Sequence, residues 1–295
     1  MLFEIYGTTL NSPVDLSTLG LTELRKEDIN KTSKIINLQF TEVKDLSIGD
    51  KYVDNETLVN ESYGYYYKKG LCLYEFLEGS IIKVQHLNKI SKEILYPLLN
   101  YPFAAIFYQR SNLVLHASAV RYQNKTYVFP GITMSGKSSL AAHMIDIGGK
   151  LITEDICIIS FIKDKPYAVP SYPTIKISDE LKDCFEISKS KKAIFHQKKN
   201  NRRVYKLHSK RFISKMSKID FIIFPEWSKN NDELKEIHKP KSLKKILESS
   251  FFSYVDFNQK DFFKKNLSLL ENTRCFNLKR RKNFSSFNLL NQPII

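Results

Sequence analysis

Two glycines with four residues between them, followed at once by a lysine and a serine, give the segment Gly131-Ile132-Thr133-Met134-Ser135-Gly136-Lys137-Ser138 its chemistry. The spacing fits G-x-x-x-x-G-K-[ST] without deviation. Glycines let a loop turn its backbone N–H groups inward and approach phosphate oxygens closely. A helix starting near Lys137 would point the positive end of its dipole at the same phosphates. Lys137 can then reach the β- and γ-phosphates of a nucleotide, and the Ser138 hydroxyl can ligate Mg²⁺. The expected nucleotide-binding residues are Gly131, Ser135, Gly136, Lys137, Ser138 and Ser139, and the expected cofactors are ATP and Mg²⁺.

A pair of acids, Glu154-Asp155, follows soon after, flanked by Leu151-Ile152 and Ile156-Cys157-Ile158-Ile159. Solvated acids are unusual within such an apolar run. A carboxylate at a strand end beside a phosphate loop holds Mg²⁺ or its water. Two adjacent acids can divide the work, one serving the metal and the other accepting a proton from an attacking hydroxyl. His116 lies in the apolar run Leu113-Val114-Leu115-His116-Ala117-Ser118-Ala119-Val120, where a core histidine is the plain reading. His86, His143, His196, His208 and His238 show no ligand spacing.

These residues need elements to carry them. Residues 113–120 read as a buried strand, Asn124-Lys125 as a turn, and 126–130 as a second strand entering the glycine loop. An apolar helical run covers Ser138 to about Ile147 and is stopped by Gly148-Gly149. Leu151–Thr153 opens a strand that resumes after the acids, so the whole forms a βαβ-like unit. Upstream, short runs at 2–6, 34–40, 63–75 and 80–86 predict strands, with a hairpin turning at Lys68-Lys69-Gly70. Its tyrosines read as half-buried sheet surface. Lys92 to Tyr108 has helical spacing interrupted by Pro97 and Pro102. Downstream come an extended crossing at 166–173, a basic stretch at 189–211 and an apolar strand at Ile219–Phe224. Helical patterns at 241–250 and 260–271 follow, then a second basic cluster, Lys279 to Lys282. The expected organisation is an N-terminal α+β region at 1–105 and a larger α/β domain at 106–295.

At 295 residues with 42% hydrophobic and 26% charged, the chain can bury a sizeable core. No stretch approaches the roughly 20 apolar residues of a membrane span, and the N-terminus lacks the pattern of a secretory signal. The four cysteines, Cys72, Cys157, Cys184 and Cys275, form no C-x-x-C pair. That spacing argues against structural zinc or a disulfide framework, and a cytoplasmic location is expected. The formal charge of +15 favours anionic partners. Without a recognisable reading module, nucleic acid is not the expected one.

Together these segments resemble the HPr kinase/phosphorylase superfamily, which has kinship with phosphoenolpyruvate carboxykinases. The resemblance rests on the histidine strand Leu115–Val120, the loop Gly131–Ser138, and Gly148-Gly149-Lys150-Leu151-Ile152-Thr153-Glu154-Asp155. It looks nearest to the stand-alone kinases encoded beside ribosomal peptide biosynthesis genes, including lasso-peptide tailoring kinases. The entry from Gln109-Arg110 and the segment Val169-Pro170-Ser171-Tyr172-Pro173-Thr174-Ile175-Lys176-Ile177 carry that likeness. It is specific over about 105–180 and loose elsewhere. The resemblance implies an α/β P-loop kinase core. In it His116 lies near the acids, Asp155 is the base for a seryl hydroxyl, and Glu154 is a metal ligand, with the two roles exchangeable. His116, Asp155 and Lys137 become the expected catalytic residues, and Ser138 and Glu154 the expected metal ligands.

Three departures stand out. Glu154 replaces the family's usual aspartate, no E-I-R-G-x-G-type segment follows, and Lys176 stands where an arginine is expected, losing any bidentate phosphate contact. The missing E-I-R-G-x-G segment argues against HPr recognition and phosphorolysis. Lys176, Arg202, Arg203 and Lys206 are candidate phosphate or acceptor contacts, against a reading of 189–211 as a solvated, mobile basic loop.

The expected activity is an ATP- and Mg-dependent serine kinase acting on a peptide or small protein, such as a natural-product precursor. A kinase of free serine or a sugar, and a non-catalytic nucleotide-binding accessory protein, are the alternatives. Intact Lys137, Ser138, Glu154 and Asp155 weigh against the last. The oligomeric state stays open, a homo-oligomer included. Because Lys137 is expected only to contact phosphate, Lys137→Ala should abolish thermal stabilisation by Mg-ATP while leaving the protein folded. Equal stabilisation of variant and wild type in a melting assay would remove the phosphate-loop assignment.

Overall fold

The computed structural model describes residues 1–25, 27, 34–46, 54, 56–198, 201–252, 259–282, 287, 289 and 290. Its strands are gathered into two large sheets and one small one, with few helices, a mixed α/β architecture.

The first sheet uses β1 (Leu2–Ile5), β2 (Thr8–Asn11), β3 (Thr22–Glu23), β4 (Ile36–Glu42), β5 (Thr57–Val59), β6 (Tyr63–Lys68), β7 (Cys72–Leu77) and β8 (Ile81–His86). Its order is β3-β1-β2-β4-β8-β7-β6-β5, with β2–β4 and β4–β8 parallel and the other pairs antiparallel. Alternation decides its buried face: Tyr74, Phe76, Ile82 and Val84 pack inward while Glu75 and Lys83 do not. The tyrosine hairpin forms as expected, and Tyr66 stacks on Tyr74 at 5.6 Å.

Two helices cover that face, α1 (Lys92–Leu98) and α2 (Tyr101–Gln109). Pro97 is accommodated near the end of α1 and Pro102 in the first turn of α2, where a missing N–H costs nothing. α2 runs through the point 105/106, so the division into 1–105 and 106–295 stands as a proposal about folding units. The largest core cluster joins Phe3, Tyr74 and Phe103 to Val114, Ile156 and Ile158 of the next sheet. At the end of α2, Gln109 accepts from the Gly79 N–H at 2.9 Å and Arg110 donates to the Gly79 carbonyl at 2.5 Å. The first sheet is thereby tied to the strand that carries His116.

The second sheet holds β9 (Leu113–Tyr122), β10 (Lys125–Pro130), β11 (Lys150–Thr153), β12 (Ile156–Ile162), β13 (Lys165–Ala168), β17 (Ser217–Lys218), β18 (Phe221–Trp227), β19 (Glu233–Glu236) and β20 (Arg274–Arg280). The order is β17-β13-β12-β9-β10-β18-β20-β19, with β11 also paired to β9. The β9–β10 turn falls on Gln123-Asn124, one residue earlier than expected, because both residues take positive φ (47° and 61°). β18 starts at Phe221 rather than Ile219 and runs parallel to β10 and β20.

Helices cover both faces of this sheet, which explains its nearly continuous apolar runs. On one side α3 (Lys137–Asp146) packs Leu140, Ala141 and Met144 onto Tyr127, Phe129, Ile223, Phe276 and Leu278. On the other, α5 (Lys239–Ser249) and α6 (Gln259–Glu271) place Ile246, Leu269 and Leu270 against Leu115, Val128, Ile222 and Phe224. α3 ends in a Schellman motif, with Gly149 N–H donating to Met144 C=O at 2.8 Å and Gly148 N–H to Ile145 C=O at 3.2 Å.

The basic stretch is not a loop throughout. β14 (Thr174–Ser178), β15 (Phe195–Gln197) and β16 (Arg202–Lys206) form a three-stranded antiparallel sheet, preceded on the chain side of β15 by the short α4 (Glu186–Ser190). Hydrogen bonding to β14 orders the Arg202–Lys206 backbone and corrects the mobile-loop alternative. The residues that follow the second basic cluster lie largely outside the described residues.

Gly64 tests the first sheet. A Cβ there would stand 2.2 Å from Phe76 Cε2 and 2.6 Å from the Leu58 carbonyl oxygen. Gly64→Ala should cost ~1–3 kcal/mol by overpacking and lower the melting temperature by several degrees. An unchanged melting temperature would contradict this packing.

Candidate functional site

β10 ends at Pro130, and the Gly131 N–H donates to the His116 carbonyl at 3.2 Å, so the loop leaves the sheet beside the histidine. Gly136, the N-cap of α3, has φ 93°, a left-handed value that suits glycine. A Cβ on it would also fall 2.0 Å from Arg280 Nη2. The tip of the loop is pinned by Trp227, whose Nε1–H donates to the Met134 carbonyl at 2.9 Å.

Lys137 is 5% exposed, and its ammonium donates to the Ile132 carbonyl at 2.8 Å. Burial pulls its pKa down to about 8, against the opposing pull of Asp155 and Glu154. One residue on, Ser138 Oγ–H donates to Glu154 Oε1 at 2.7 Å. Ser135 is buried with no partner for its hydroxyl among the described residues, and Ser139 lines the adjoining cavity.

The acids interrupt what is otherwise one long strand. β11 and β12 both pair antiparallel with β9, and Glu154-Asp155 form the bend between them. Asp155 takes φ 72°, a left-handed conformation uncommon outside glycine, though aspartate and asparagine adopt it more readily than other side chains, and a form of local strain. The bend turns the two carboxylates different ways. Glu154, 7% exposed, lies behind Ser138, while Asp155 faces the cavity.

The His116 Nε2–H donates to Asp155 Oδ1 at 3.2 Å. Lys176 Nζ donates to Asp155 Oδ2 at 2.5 Å and lies 3.8 Å from Glu154 Oε2. Lys176 is 4% exposed, with the Asn100 side-chain oxygen at 3.4 Å and the Tyr96 ring at 5.4 Å. Burial alone would raise the Asp155 carboxyl, but Lys176 and His116 outweigh it and hold it well below its ordinary value. Glu154 moves the other way, raised chiefly by burial and next by the charge of Asp155, with Lys176 opposing. Burial works against the Lys176 charge too, and Asp155 and Glu154 overcome it, holding the ammonium well above its usual value.

These groups meet in one cavity of about 640 Å³, lined by His116, Lys137, Ser138, Ser139, Asp155 and Arg202. Of the basic candidates, Arg202 reaches it, next to Ser178 and on the same face as Lys176. Lys176 is taken up by the acids. Arg203 points to the opposite face and is engaged by Asp179 at 2.6 and 3.3 Å. Lys206 is exposed at the far end of β16, paired with Thr174. The cavity is also lined by Trp227, Arg280, Lys282 and Phe287, none of them anticipated. The alternation Phe276-x-Leu278-x-Arg280 was the available signal, since it puts Arg280 on the apolar face of its strand.

A hydroxyl and a carboxylate in contact suit a hard cation that takes few protein ligands and completes its shell with water and phosphate oxygens. No group of three His, Cys, Asp or Glu side chains able to hold a metal occurs among the described residues. Such a cluster is not what Mg²⁺ beside a nucleotide requires. Among the described residues no helix is long and apolar enough to cross a membrane.

Neither a family model nor a curated protein matches this chain. Among solved structures, it aligns with the HPr(Ser) kinase/phosphatase from Coxiella burnetii at TM-score 0.32 and 10% identity, over 60% of this chain and 91% of that one. A TM-score at that level carries no functional argument, so the reading below rests on the residues.

Lys176 is the test of the cluster. Lys176→Met strands the buried Glu154 and the half-buried Asp155 without their cation and should destabilise the protein by up to ~3–5 kcal/mol, read by denaturant unfolding. The depressed Asp155 pKa contributes stability that is complete above the unfolded carboxylate value near ~4 and is lost as pH falls through the lower folded value. In Lys176→Met that depression should shrink to what His116 supplies, and the acid limb of the stability profile should move to higher pH. An unmoved acid limb would rule out Lys176 as its cause.

Proposed function

We propose that this chain is an ATP- and Mg-dependent kinase that phosphorylates a serine of a peptide or small protein. The observation that carries the reading is the convergence of Lys137, Ser138, His116 and Asp155 on one cavity, with Glu154 directly behind Ser138. A protein that merely held a nucleotide would not need the carboxylate, strained and ion-paired, facing that cavity.

Lys137 and the N–H groups of the loop would take the phosphates of ATP. Ser138 and Glu154 would hold Mg²⁺, which supplies positive charge to the β- and γ-phosphates. Glu154 acts through Ser138 or a water rather than as the front ligand, consistent with its burial. Asp155 accepts the proton of the acceptor hydroxyl as its oxygen bonds to the γ-phosphorus. The bond from that phosphorus to the bridging oxygen breaks, and ADP leaves with the electron pair. A carboxylate held well below its usual pKa is a weak base but is always ionised, and phosphoryl transfer asks mainly for orientation. His116 fixes one Asp155 oxygen and Lys176 the other.

A peptide acceptor is favoured over a small molecule by the surface around the loop. Ile132 and Met134 are 67% and 74% exposed, beside a second hollow of about 530 Å³ that also reaches Phe224, Trp227 and Lys245. Large exposed apolar side chains next to a reactive site suit an extended chain better than free serine or a sugar.

The experiment is phosphoryl transfer from ATP to a library of serine peptides, with phosphoserine read by mass spectrometry and ADP release measured alongside. Wild type should phosphorylate a subset of serine peptides and none of their alanine counterparts. Asp155→Asn should abolish transfer with ATP affinity nearly intact, and Glu154→Gln should weaken the Mg²⁺ dependence. Full transfer by Asp155→Asn would remove it from the chemistry, and the reverse pattern would exchange the roles of the two acids.

A further inference from the structure

We propose that Arg280 is a second phosphate-binding side chain, gripping the diphosphate that stays with the nucleoside while Lys137 serves the phosphate that leaves; this deepens the nucleotide-binding reading above and rests on it.

The register of the sheet creates the position. Trp227 and Arg280 are neighbours across the parallel pair β18 and β20. Arg280 continues the Phe276–Leu278 row that packs against α3. The row therefore delivers a guanidinium to the N-terminus of α3, where Arg280 Nη2 lies 3.5 Å from the Gly136 carbonyl oxygen. Two rings flank its charged end, the guanidinium carbon lying 4.1 Å from the Trp227 ring centroid and 4.7 Å from that of Phe287. Ring contacts of this kind supply no conventional acceptor for its N–H groups.

Among the described residues such acceptors are few. Arg280 is 2% exposed, and its buried Nε has no hydrogen-bond partner among the described residues. The Gly136 contact is too long to satisfy a donor well. Among the described residues no carboxylate forms a salt bridge with Arg280. The adjacent Arg281 takes Asp232 at 2.8 Å, and Arg274 takes Glu236 at 2.9 Å. Burying an unpaired guanidinium is costly, and the complement that meets both its fork and its charge is a carboxylate or phosphate. Burial lowers its pKa only to about 10, so it is cationic at neutral pH. It lines the cavity that holds Lys137 and Ser138, which selects phosphate.

Helical spacing assigns the phosphates. Gly136, Ser139 and His143 share one side of α3, and Phe287 stacks on His143 at 5.0 Å. Ser138 is turned about 100° from Ser139, toward Glu154 and the transfer groups His116 and Asp155. Arg280 lies at the Gly136 end of this side of α3, and on the proposal it takes the phosphates that remain with the nucleoside. The exposed Lys282 lines the same cavity and adds charge there.

Titration calorimetry of the full chain with Mg-ATP and Mg-ADP, and ligand-observed NMR with adenosine, decide the matter. Arg280→Met, which keeps an apolar stem between the rings, should weaken ATP and ADP alike by at least about tenfold and leave adenosine unchanged. Arg280→Lys, with the charge but not the fork, should fall between. Should Arg280→Met fail to fold, Arg280→Lys reads the same split, and a loss for ATP and ADP that spares adenosine supports the proposal. Wild-type ADP affinity in the folded variant, an equal loss for all three ligands, or a loss for ATP alone would each overturn it. Wild-type protein that binds no ATP would overturn the nucleotide reading and this proposal together, whereas ATP binding by wild type with unaltered affinity in the variants overturns this proposal only.

Discussion

A single ammonium group, Lys176 Nζ, holds together charges that would otherwise repel. It is nearly inaccessible to water, bonded to Asp155 and close to Glu154. Two carboxylates on consecutive residues, one buried and one half-buried, disfavour each other's ionised form without such a cation. Its presence lets Asp155 keep its charge while facing a cavity, and lets Glu154 remain behind Ser138. The cation comes from β14, a strand of the small third sheet. Placement of that sheet against the second one is therefore part of the chemistry, and Tyr96 and Asn100 brace the same lysine from the helical segment that covers the first sheet.

Seen from Lys176, the apparent loss of an arginine from the phosphate-contacting set changes meaning. A guanidinium at this position would need room for a planar fork between two acids and a tyrosine ring, whereas a compact ammonium fits as a point charge. The cations that line the cavity are others: Lys137 in the loop, Arg202 at the start of the central strand of the small sheet, and Arg280. Charge in the site is arranged in layers: a buried cation neutralises the acids, and other cations face the cavity.

The glycine loop is held on both flanks by groups distant in sequence. Its entry is bonded to the His116 strand, and its tip to Trp227. Gly136 is required twice, by its backbone conformation and by the approach of Arg280. These constraints come from β9, β18 and β20, so the geometry of the loop depends on the order of the second sheet as much as on its own residues.

The sequence by itself determined the features that act over short spans. The G-x-x-x-x-G-K-S spacing, the helix it opens, the Gly148-Gly149 stop, the tyrosine hairpin and the interruption of an apolar strand by two acids were all legible, because backbone conformation and local alternation fix them within a few residues. The exact turn at Gln123-Asn124 was off by one, a matter of which residues take positive φ. The ordering of Arg202–Lys206 was hidden, because its strand lies between the nearby β15 and the more distant β14, a pairing that its own basic composition does not announce. Only the tertiary structure decided that Lys176 belongs to the acids, that Arg203 belongs to Asp179, and that Trp227 and Arg280 stand against the loop. Each depends on strand register and on which buried charge finds which partner, and those are settled by long-range packing in a medium where an unpaired charge is too costly to leave alone.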